Sequence, residues 1–480
     1  MLRLVRSPVP IPFQARFMRS SLVLPALALL AGCSSATPPR TLPVTAHGVI
    51  GVEAAQLQPG FWTGLAARRD QVMLTAEAIA AQNRTLLDQD RSVTDLERLP
   101  AVLTGEQVRA WVTGLSRAPG RTLFDERGDS LGADRVAELL ASVQPEAIPA
   151  QQPLRFALIT RRADLRTFPT RLRVFSSRGD TDIDRFQETA LFPGTPAVIV
   201  HESRDGEWWF VVSPTYTAWV EKRFVAEGTR EQVLGYVRQT PFVVVTGATV
   251  RTVYTPEAPA VSEVQLDMGT RVPLVADWPP GRHVNGQHPY TSRVIALPVR
   301  TPEGGLALVP ALLPRTADVS EGYLALTPRL LLEQSFKFLG ERYGWGHSYN
   351  ARDCSGFVSD VYRTFGMMLP RNTGDQAATP VLRRTAFTQA DTREQRLAVV
   401  RGLQPGDLIF IPGHEMMVIG QLGDEPYIIH DTHGPSYLAP NGEIVSLALN
   451  GVAVTPLTPL AGNPQVTWVD RITAIQRIRP

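Results

Sequence analysis

Cysteine, long apolar runs and an excess of charge of either sign are all scarce in this sequence. Only 2 of its 480 residues are cysteine, too few for a disulfide framework or for a zinc site held by thiolates alone. The 48 basic residues nearly balance the 46 acidic ones, so the net charge does not favour binding to nucleic acid. Hydrophobic residues at 44% exclude a mainly disordered chain, and the length predicts about three domains.

One apolar run stands out, and it ends at the first cysteine. It begins at residue 21, follows four arginines and is too short to cross a bilayer, so it predicts a secretory signal. Its end, Leu30-Ala31-Gly32-Cys33, resembles a bacterial lipobox, in which the cysteine is acylated and becomes the first residue of the mature protein. The alternatives are an ordinary signal peptide with a chance cysteine and a later start at Met18.

Lipidation of Cys33 predicts a protein of the cell envelope. Ser34 and Ser35 follow it, and in lipoproteins of Gram-negative bacteria the absence of aspartate at that second place is compatible with export to the outer membrane. We therefore expect a periplasmic lipoprotein held to the membrane by its acyl chains only. We also expect a monomer that needs no metal and no cofactor.

Changes of pattern divide the rest of the chain. We predict a signal at 1–33, a flexible linker at 34–48, a mostly helical domain at 49–150, two SH3-like β-barrels at 151–240 and 241–320, and a C-terminal domain at 321–480. The first barrel rests on short β-rich runs whose order resembles a bacterial SH3-like domain. Its Trp208, Trp209 and Trp219 are interpreted as core residues rather than as ligands for glycan.

The second cysteine has the setting of a nucleophile. Apolar residues after Cys354 recur at helical spacing, Asp353 is a natural N-cap, and the thiol therefore lies in the first turn of a helix. Unpaired N–H groups and the helix dipole favour a thiolate at such a position. The alternative is a small buried hydrophobic residue.

A thiolate nucleophile needs a base, most often histidine, and a group that orients it. Four of the eight histidines lie in the C-terminal region: His347, His414, His430 and His433. His414 begins one likely strand and His430 ends another. Adjacent antiparallel strands would place these two imidazoles side by side, within reach of a helix packed on the sheet.

Several motifs together resemble one family. They are Tyr343-Gly344-Trp345-Gly346, Asp353-Cys354-Ser355-Gly356, Leu369-Pro370-Arg371-Asn372-Thr373, Gln376, Leu403-Gln404-Pro405-Gly406-Asp407-Leu408, Pro412-Gly413-His414 and Ile428-Ile429-His430-Asp431. Their order and spacing resemble the NlpC-type cell-wall cysteine peptidases. The lipobox, the helical part and the paired barrels resemble the subgroup that carries two bacterial SH3-like domains. The resemblance implies a multidomain α+β protein with a papain-like peptidase domain.

The resemblance also implies a reaction and a set of site residues. Cys354 would be the nucleophile, His414 the base and His430 the orienting residue in hydrolysis of the γ-D-glutamyl bond to a diamino acid in peptidoglycan stem peptides or muropeptides. Tyr343 and Asp353, with Ser355 nearby, would bind the free amine of an N-terminal L-alanine. The alternatives are a degenerate wall-binding scaffold, or another acyl hydrolase or transferase on the same fold.

The sequence departs from the family pattern at two places. His347 follows Trp345-Gly346 where glycine is usual. Asp431 and His433 lie close to His430, so either is an alternative orienting group. Strand alternation puts Asp431 on the face opposite to His430, which favours His430 in that role.

Overall fold

The computed structural model describes residues 42–479. The predicted signal, the acylation site Cys33 and the first part of the predicted linker lie outside the described residues. Within the described part of the chain, no helix is both long and apolar enough to cross a membrane.

Residues 42–150 contain four α-helices and one short strand. Their elements are α1 (Pro59–Leu65), α2 (Ala76–Gln89), β1 (Val102–Thr104), α3 (Gly105–Leu115) and α4 (Ala133–Ser142). The predicted cap forms at the start of α3, where the Thr104 hydroxyl accepts from the backbone N–H of Gln107. The buried side chains join two larger cores: Trp62 and Ile79 pack with the C-terminal region, and Val108 packs with the sheet that follows.

The first predicted barrel is an open sheet. Its elements are β2 (Gln151–Pro153), β3 (Arg155–Ile159), β4 (Ala163–Arg166), β5 (Gln187–Leu191), β6 (Pro196–Glu202), β7 (Trp208–Val212), β8 (Thr217–Glu221), β9 (Val225–Gly228) and α5 (Arg230–Arg238). Seven strands pair in the order β5-β4-β8-β7-β6-β3-β9. Trp208, Trp209 and Trp219 are buried core residues, as predicted.

Closure of that barrel was a wrong prediction, because segments distant in sequence cover both edges of the sheet. At the β9 edge, Glu227 forms a bridge with Gly305. At the β5 edge, the backbone carbonyl of Gln187 accepts a hydrogen bond from the Trp345 indole. When backbone polar groups of an edge strand form hydrogen bonds with other segments, that strand does not have to pair with the strand at the opposite edge of the sheet.

Residues 241–321 form small sheets in place of the second predicted barrel. The strands are β10 (Phe242–Val245), β11 (Thr249–Arg251), β12 (Gln265–Asp267), β13 (Arg271–Pro273), β14 (Ser292–Arg300), β15 (Leu306–Pro314) and β16 (Val319–Glu321). They pair as β13-β10-β16, β11-β12 and the long hairpin β14-β15, and no closed barrel forms among these described strands. One apolar core, which includes Val243, Leu266 and Leu313, joins the three sheets.

The C-terminal region is α+β. It contains α6 (Pro328–Phe336), α7 (Cys354–Arg363), α8 (Thr373–Ala378), β17 (Arg383–Ala386), α9 (Arg393–Val400), β18 (Leu408–Ile411), β19 (His414–Leu422), β20 (Glu425–Thr432), β21 (Ser436–Leu438), β22 (Ile444–Ser446), β23 (Gly451–Pro456) and β24 (Ala474–Arg477). Six strands form an antiparallel sheet in the order β17-β24-β18-β19-β20-β23. Helix α6 starts at the predicted cap, Thr327, whose hydroxyl accepts from the backbone N–H of Leu330.

Two apolar cores cover the two faces of this sheet. The helix-side core contains α7 residues Phe357, Val358 and Val361 together with the sheet residues Phe410, Met417, Ile419 and Ile429. The far-side core contains Ile411, Met416, Val418, Ile428 and Trp468. Residues that alternate along β19 therefore belong to different cores, as the period of a strand requires.

A buried ionic network fixes the start of α7. Arg352 is fully buried, and its guanidinium donates to Asp267 (2.9 Å) and to Asp360 of α7 (2.9 Å). Arg162 of the first sheet donates to the same Asp267 carboxylate at 2.5 Å. Three segments of the chain thus converge two residues before Cys354.

Candidate active site

Cys354 is the first residue of α7, as the sequence predicts. Asp353 caps the helix, because its Oδ1 accepts from the backbone N–H of Gly356 at 2.8 Å. The thiol is only 6% exposed. Its near neighbours include the hydroxyl of Thr373, whose Oγ1 lies 3.5 Å from Sγ.

The imidazoles of His414 and His430 lie side by side, as predicted. His414 Nε2 lies 2.8 Å from His430 Nδ1, on the adjacent strands β19 and β20. His430 Nε2 also lies 3.1 Å from the hydroxyl of Thr455 on β23. Both rings pack edge to face against Trp468, with centroids 5.5 and 5.8 Å away.

The two imidazoles pack against Trp468 of the far-side core. His414 shares its side of β19 with Met416 and Val418 of that core. Cys354 lies at the start of α7, whose apolar residues belong to the helix-side core, and its sulfur accepts a hydrogen bond from the backbone N–H of Glu415, the residue after His414. The roles of Cys354 as nucleophile, His414 as base and His430 as orienting residue stay predictions.

Glu415 follows His414 on β19 and lies on the helix side of the sheet. Glu415 pairs with Phe410 of the neighbouring strand β18, and Phe410 belongs to the helix-side core. Glu415 is fully buried. Met417 of β19 pairs with Ile429 of the antiparallel strand β20. The same register, continued by two residues, sets Glu415 opposite Asp431. Asp431 is fully buried too. The sequence argument that Asp431 and His430 occupy opposite faces is correct.

Burial and carboxylates make the thiol hard to ionise. Loss of solvent, followed by the nearby charges of Asp353 and Glu415, raises the pKa of Cys354 to about 12. Burial and the Asp353 charge also raise the pKa of Glu415 to about 8, and burial raises the pKa of Asp431 well above its ordinary value. Most of this cluster is therefore protonated at neutral pH.

Asp353 is the ionised member of the cluster. Burial alone would raise its pKa, but the Arg371 guanidinium and the neighbouring His347 lower it below the usual value. Its Oδ2 accepts from Arg371 (2.8 Å) and from the backbone N–H of Gly346 (2.9 Å). Arg371 also donates to the Ser355 hydroxyl at 2.8 Å. The predicted binding residues Asp353 and Ser355 thus form one buried unit with Arg371.

Tyr343 lies beside the same cluster, as predicted. It is nearly fully buried, and burial together with the charges of Cys354, Asp353 and Asp431 raises the pKa of its hydroxyl. Its ring meets the edge of His433, with centroids 6.5 Å apart. His433 itself turns outward, because its Nε2 lies 3.1 Å from Asp182 at the surface.

His347, the departure from the family pattern, lies beneath the helix start. It adopts a left-handed backbone (φ 65°), and its Nδ1 lies 3.1 Å from Arg371. A Cβ added to Gly356 would come within 2.6 Å of the His347 ring. Burial lowers the pKa of this imidazole to about 4. His347 therefore fills space against the helix and does not face the thiol.

Comparison with known families assigns two parts of the chain. Residues 173–221 match the SH3 domain (SH3b1 type), and residues 340–450 match the NlpC/P60 family. The chain contains an NlpC/P60 domain. It lies within the predicted C-terminal region and includes the candidate site residues from Tyr343 to His430.

A solved structure shares the fold. An NlpC/P60 endopeptidase from Photobacterium damselae subsp. piscicida superposes with a TM-score of 0.68 at 16% identity, over 85% of this chain and 94% of that one. An NlpC/P60 family protein from Bacillus cereus gives a TM-score of 0.46 at 21% identity, over 68% of this chain and 100% of that one. Comparison with curated proteins gives no significant match.

Sequence reasoning missed three residues of the NlpC/P60 site: Arg371, Thr373 and Glu415. Arg371 and Thr373 lie in a motif that carries the family resemblance, so a signal for them was present. Glu415 had no such signal. Within residues 42–479, one group of side chains has the spacing of a metal site. It consists of Asp180, Asp182 and His433, whose possible ligand atoms lie within 4.8 Å of one another.

Proposed function

We propose that this protein is a peptidoglycan endopeptidase that cleaves the γ-D-glutamyl bond to a diamino acid in stem peptides through attack by Cys354. The NlpC/P60 match supports a cell-wall endopeptidase. The observation that carries the proposal is the position of Cys354 in the first turn of a buried helix within that domain. Backbone N–H groups at a helix start are well placed to stabilise an oxyanion.

The preferred substrates are peptides with a free N-terminal L-alanine. Asp353 supports this, because it stays ionised in a buried site next to the hydroxyl-bearing ring of Tyr343. A buried carboxylate attracts an ammonium group more strongly than it would in water. Intact glycan-linked stems lack that ammonium, so we expect released peptides to be cleaved faster than sacculi.

The site of action is the periplasm of a Gram-negative bacterium, with Cys33 lipidated and the protein attached to the outer membrane. The lipobox sequence supports this part of the proposal. Mass spectrometry of the mature amino terminus tests it: an acylated Cys33 is expected, and an unmodified terminus at another residue would contradict it.

A second candidate function is binding of stem peptides without hydrolysis. The observation that favours it is the burial of Cys354, which raises the pKa of its thiol to about 12. A thiol that stays protonated is a weak nucleophile at neutral pH.

Product analysis separates the two functions. The purified chain is incubated with the tripeptide L-alanyl-γ-D-glutamyl-meso-diaminopimelate and, separately, with sacculi, and the products are weighed by mass spectrometry. We expect release of free diaminopimelate from the tripeptide, loss of that release in Cys354→Ala, and full release in the matched variant Cys33→Ala. Binding of the tripeptide without any release would establish the second function instead.

A further inference from the structure

The loop that leads to Cys354, residues 345–351, has an unusual backbone. Its left-handed residues are Gly346, His347, Tyr349 and Asn350, with φ between 57° and 65°. Residues that carry a Cβ rarely adopt this conformation, and a segment of this kind persists only where its surroundings hold it there. The contacts around the loop therefore decide its shape.

Arg162, in the turn between β3 and β4, holds the loop from the first sheet. Its Nη2 donates to the backbone carbonyls of His347 and Ala351, both at 2.8 Å. Its Nη1 donates to the Asp267 carboxylate at 2.5 Å, and the side chain is only 12% exposed. One guanidinium nitrogen thus joins the two ends of the left-handed stretch.

Strand β5 of the same sheet supports the loop from a second side. The side-chain amide of Gln187 donates to the backbone carbonyl of Gly346 at 2.8 Å, and the Trp345 indole donates to the carbonyl of Gln187 at 3.1 Å. A Cβ added to Gly346 would come within 2.9 Å of the Gln187 side chain. The loop therefore packs directly on β5.

The loop in turn holds the Asp353 carboxylate. The backbone N–H of Gly346 donates to Asp353 Oδ2 at 2.9 Å, while Oδ1 caps α7 through the N–H of Gly356. The charges that lower the pKa of Asp353 come from Arg371 and His347. Arg162 reaches this carboxylate through the backbone of the loop.

We propose that Arg162 is a positioning residue, which holds the Asp353 carboxylate where it binds the N-terminal ammonium group of the substrate and so sets the preference for a free amine. The inference rests on the proposed function, because it concerns the specificity of that same site. The first sheet is then part of the machinery that selects the substrate.

The pairing of Asp267 separates this role from a general contribution to stability. Asp267 also accepts from Arg352 at 2.9 Å and from the Gln265 amide at 3.2 Å. Its charge therefore stays paired when Arg162 is replaced. The groups left without a partner are the carbonyls of His347 and Ala351, so the loop is the first part of the molecule to change.

A ratio of two rates tests the proposal. We measure kcat/KM for L-alanyl-γ-D-glutamyl-meso-diaminopimelate and for its N-acetylated form, in wild type, Arg162→Met and Arg161→Met. The ratio does not depend on how much of each variant is folded. We expect Arg162→Met to lower the preference for the free amine by about 10- to 100-fold, the fold-change that corresponds to one hydrogen bond to a charged group.

Arg161→Met is the matched control and should leave the ratio unchanged. Arg161 is the neighbouring arginine, and its guanidinium donates to the backbone carbonyls of Pro259 and Ala260. Arg162→Lys is the second variant, in case Arg162→Met folds poorly. It keeps a charge beside Asp267, but an ammonium group lacks the planar fork that spans two carbonyls and a carboxylate. We expect a loss of the same sign.

Two further readouts do not depend on hydrolysis. Calorimetry on Cys354→Ala, with and without Arg162→Met, gives the same preference as a ratio of dissociation constants. Chymotrypsin cleavage after Tyr349, which is 44% exposed, reports the loop itself, because proteases cut exposed segments whose backbone is free to move. Arg162→Met should accelerate cleavage at this bond and Arg161→Met should not.

The outcomes separate the two proposals. A wild type that prefers the free amine, with the preference unchanged in both Arg162 variants, would overturn the role of Arg162 and leave the endopeptidase intact. Unchanged chymotrypsin cleavage in Arg162→Met would overturn it too. Absence of hydrolysis by the wild type, with a binding preference that Arg162→Met removes, would overturn the endopeptidase and support the role of Arg162. Equal binding and equal hydrolysis of the two peptides by the wild type would overturn the preference and the role of Arg162 with it.

Discussion

The reactivity of Cys354 can be predicted from its surroundings. Burial and two nearby carboxyl groups raise the pKa of the thiol from 9.0 to about 12, a difference of three units. At pH 7 the ionised fraction therefore falls from about 10⁻² to about 10⁻⁵. Since the thiolate is the species that reacts, alkylation should be about 1,000-fold slower in the folded protein than in the unfolded chain at the same pH.

The assay uses iodoacetamide in excess and follows the mass of the peptide that contains Cys354. The unfolded chain in urea serves as the internal reference, and the peptide mass separates Cys354 from Cys33. The rate should also rise about tenfold per pH unit up to pH 10, because the thiol is far from half ionised over that range. A folded-state rate equal to or above the unfolded rate near neutral pH would refute the reasoning and would indicate an ion pair with a base.

Three further changes have defined outcomes in urea denaturation. Arg371→Met leaves the Asp353 carboxylate buried without its 2.8 Å partner and should lower the free energy of unfolding by about 3–5 kcal/mol; an unchanged midpoint would contradict this. Gly356→Ala places a methyl group 2.6 Å from the His347 ring and should cost about 1–3 kcal/mol, despite the better helix propensity of alanine. Glu415 has a folded-state pKa of about 8 against an ordinary 4.5, so its contribution to wild-type stability should decrease from pH 4.5 to 8, and Glu415→Gln should make the measured decrease smaller, although the raised pKa of Asp431 leaves part of it in place.

Local features of the site could be read from the sequence because they depend on neighbours within one or two turns. The cap at Asp353, the thiol in the first turn of α7 and the start of α6 at Thr327 are of this kind. The family resemblance, carried by short motifs in a fixed order, located the NlpC/P60 domain within residues 340–450. The pairing of His414 with His430 followed from two predicted adjacent strands.

The tertiary structure decided which face of the sheet each of these residues occupies. Residues 414–419 are apolar or buried on both faces, since one core covers each side of the sheet, and a strand buried on both sides shows no alternation from which its faces could be told apart. The sequence therefore placed two imidazoles and a thiol in one domain, and packing brought Glu415 close to that thiol as well. Tertiary contacts also explain why the seven-stranded sheet stays open. Its edge strands contact Gly305 and Trp345, which are distant in sequence and come close only in the folded chain.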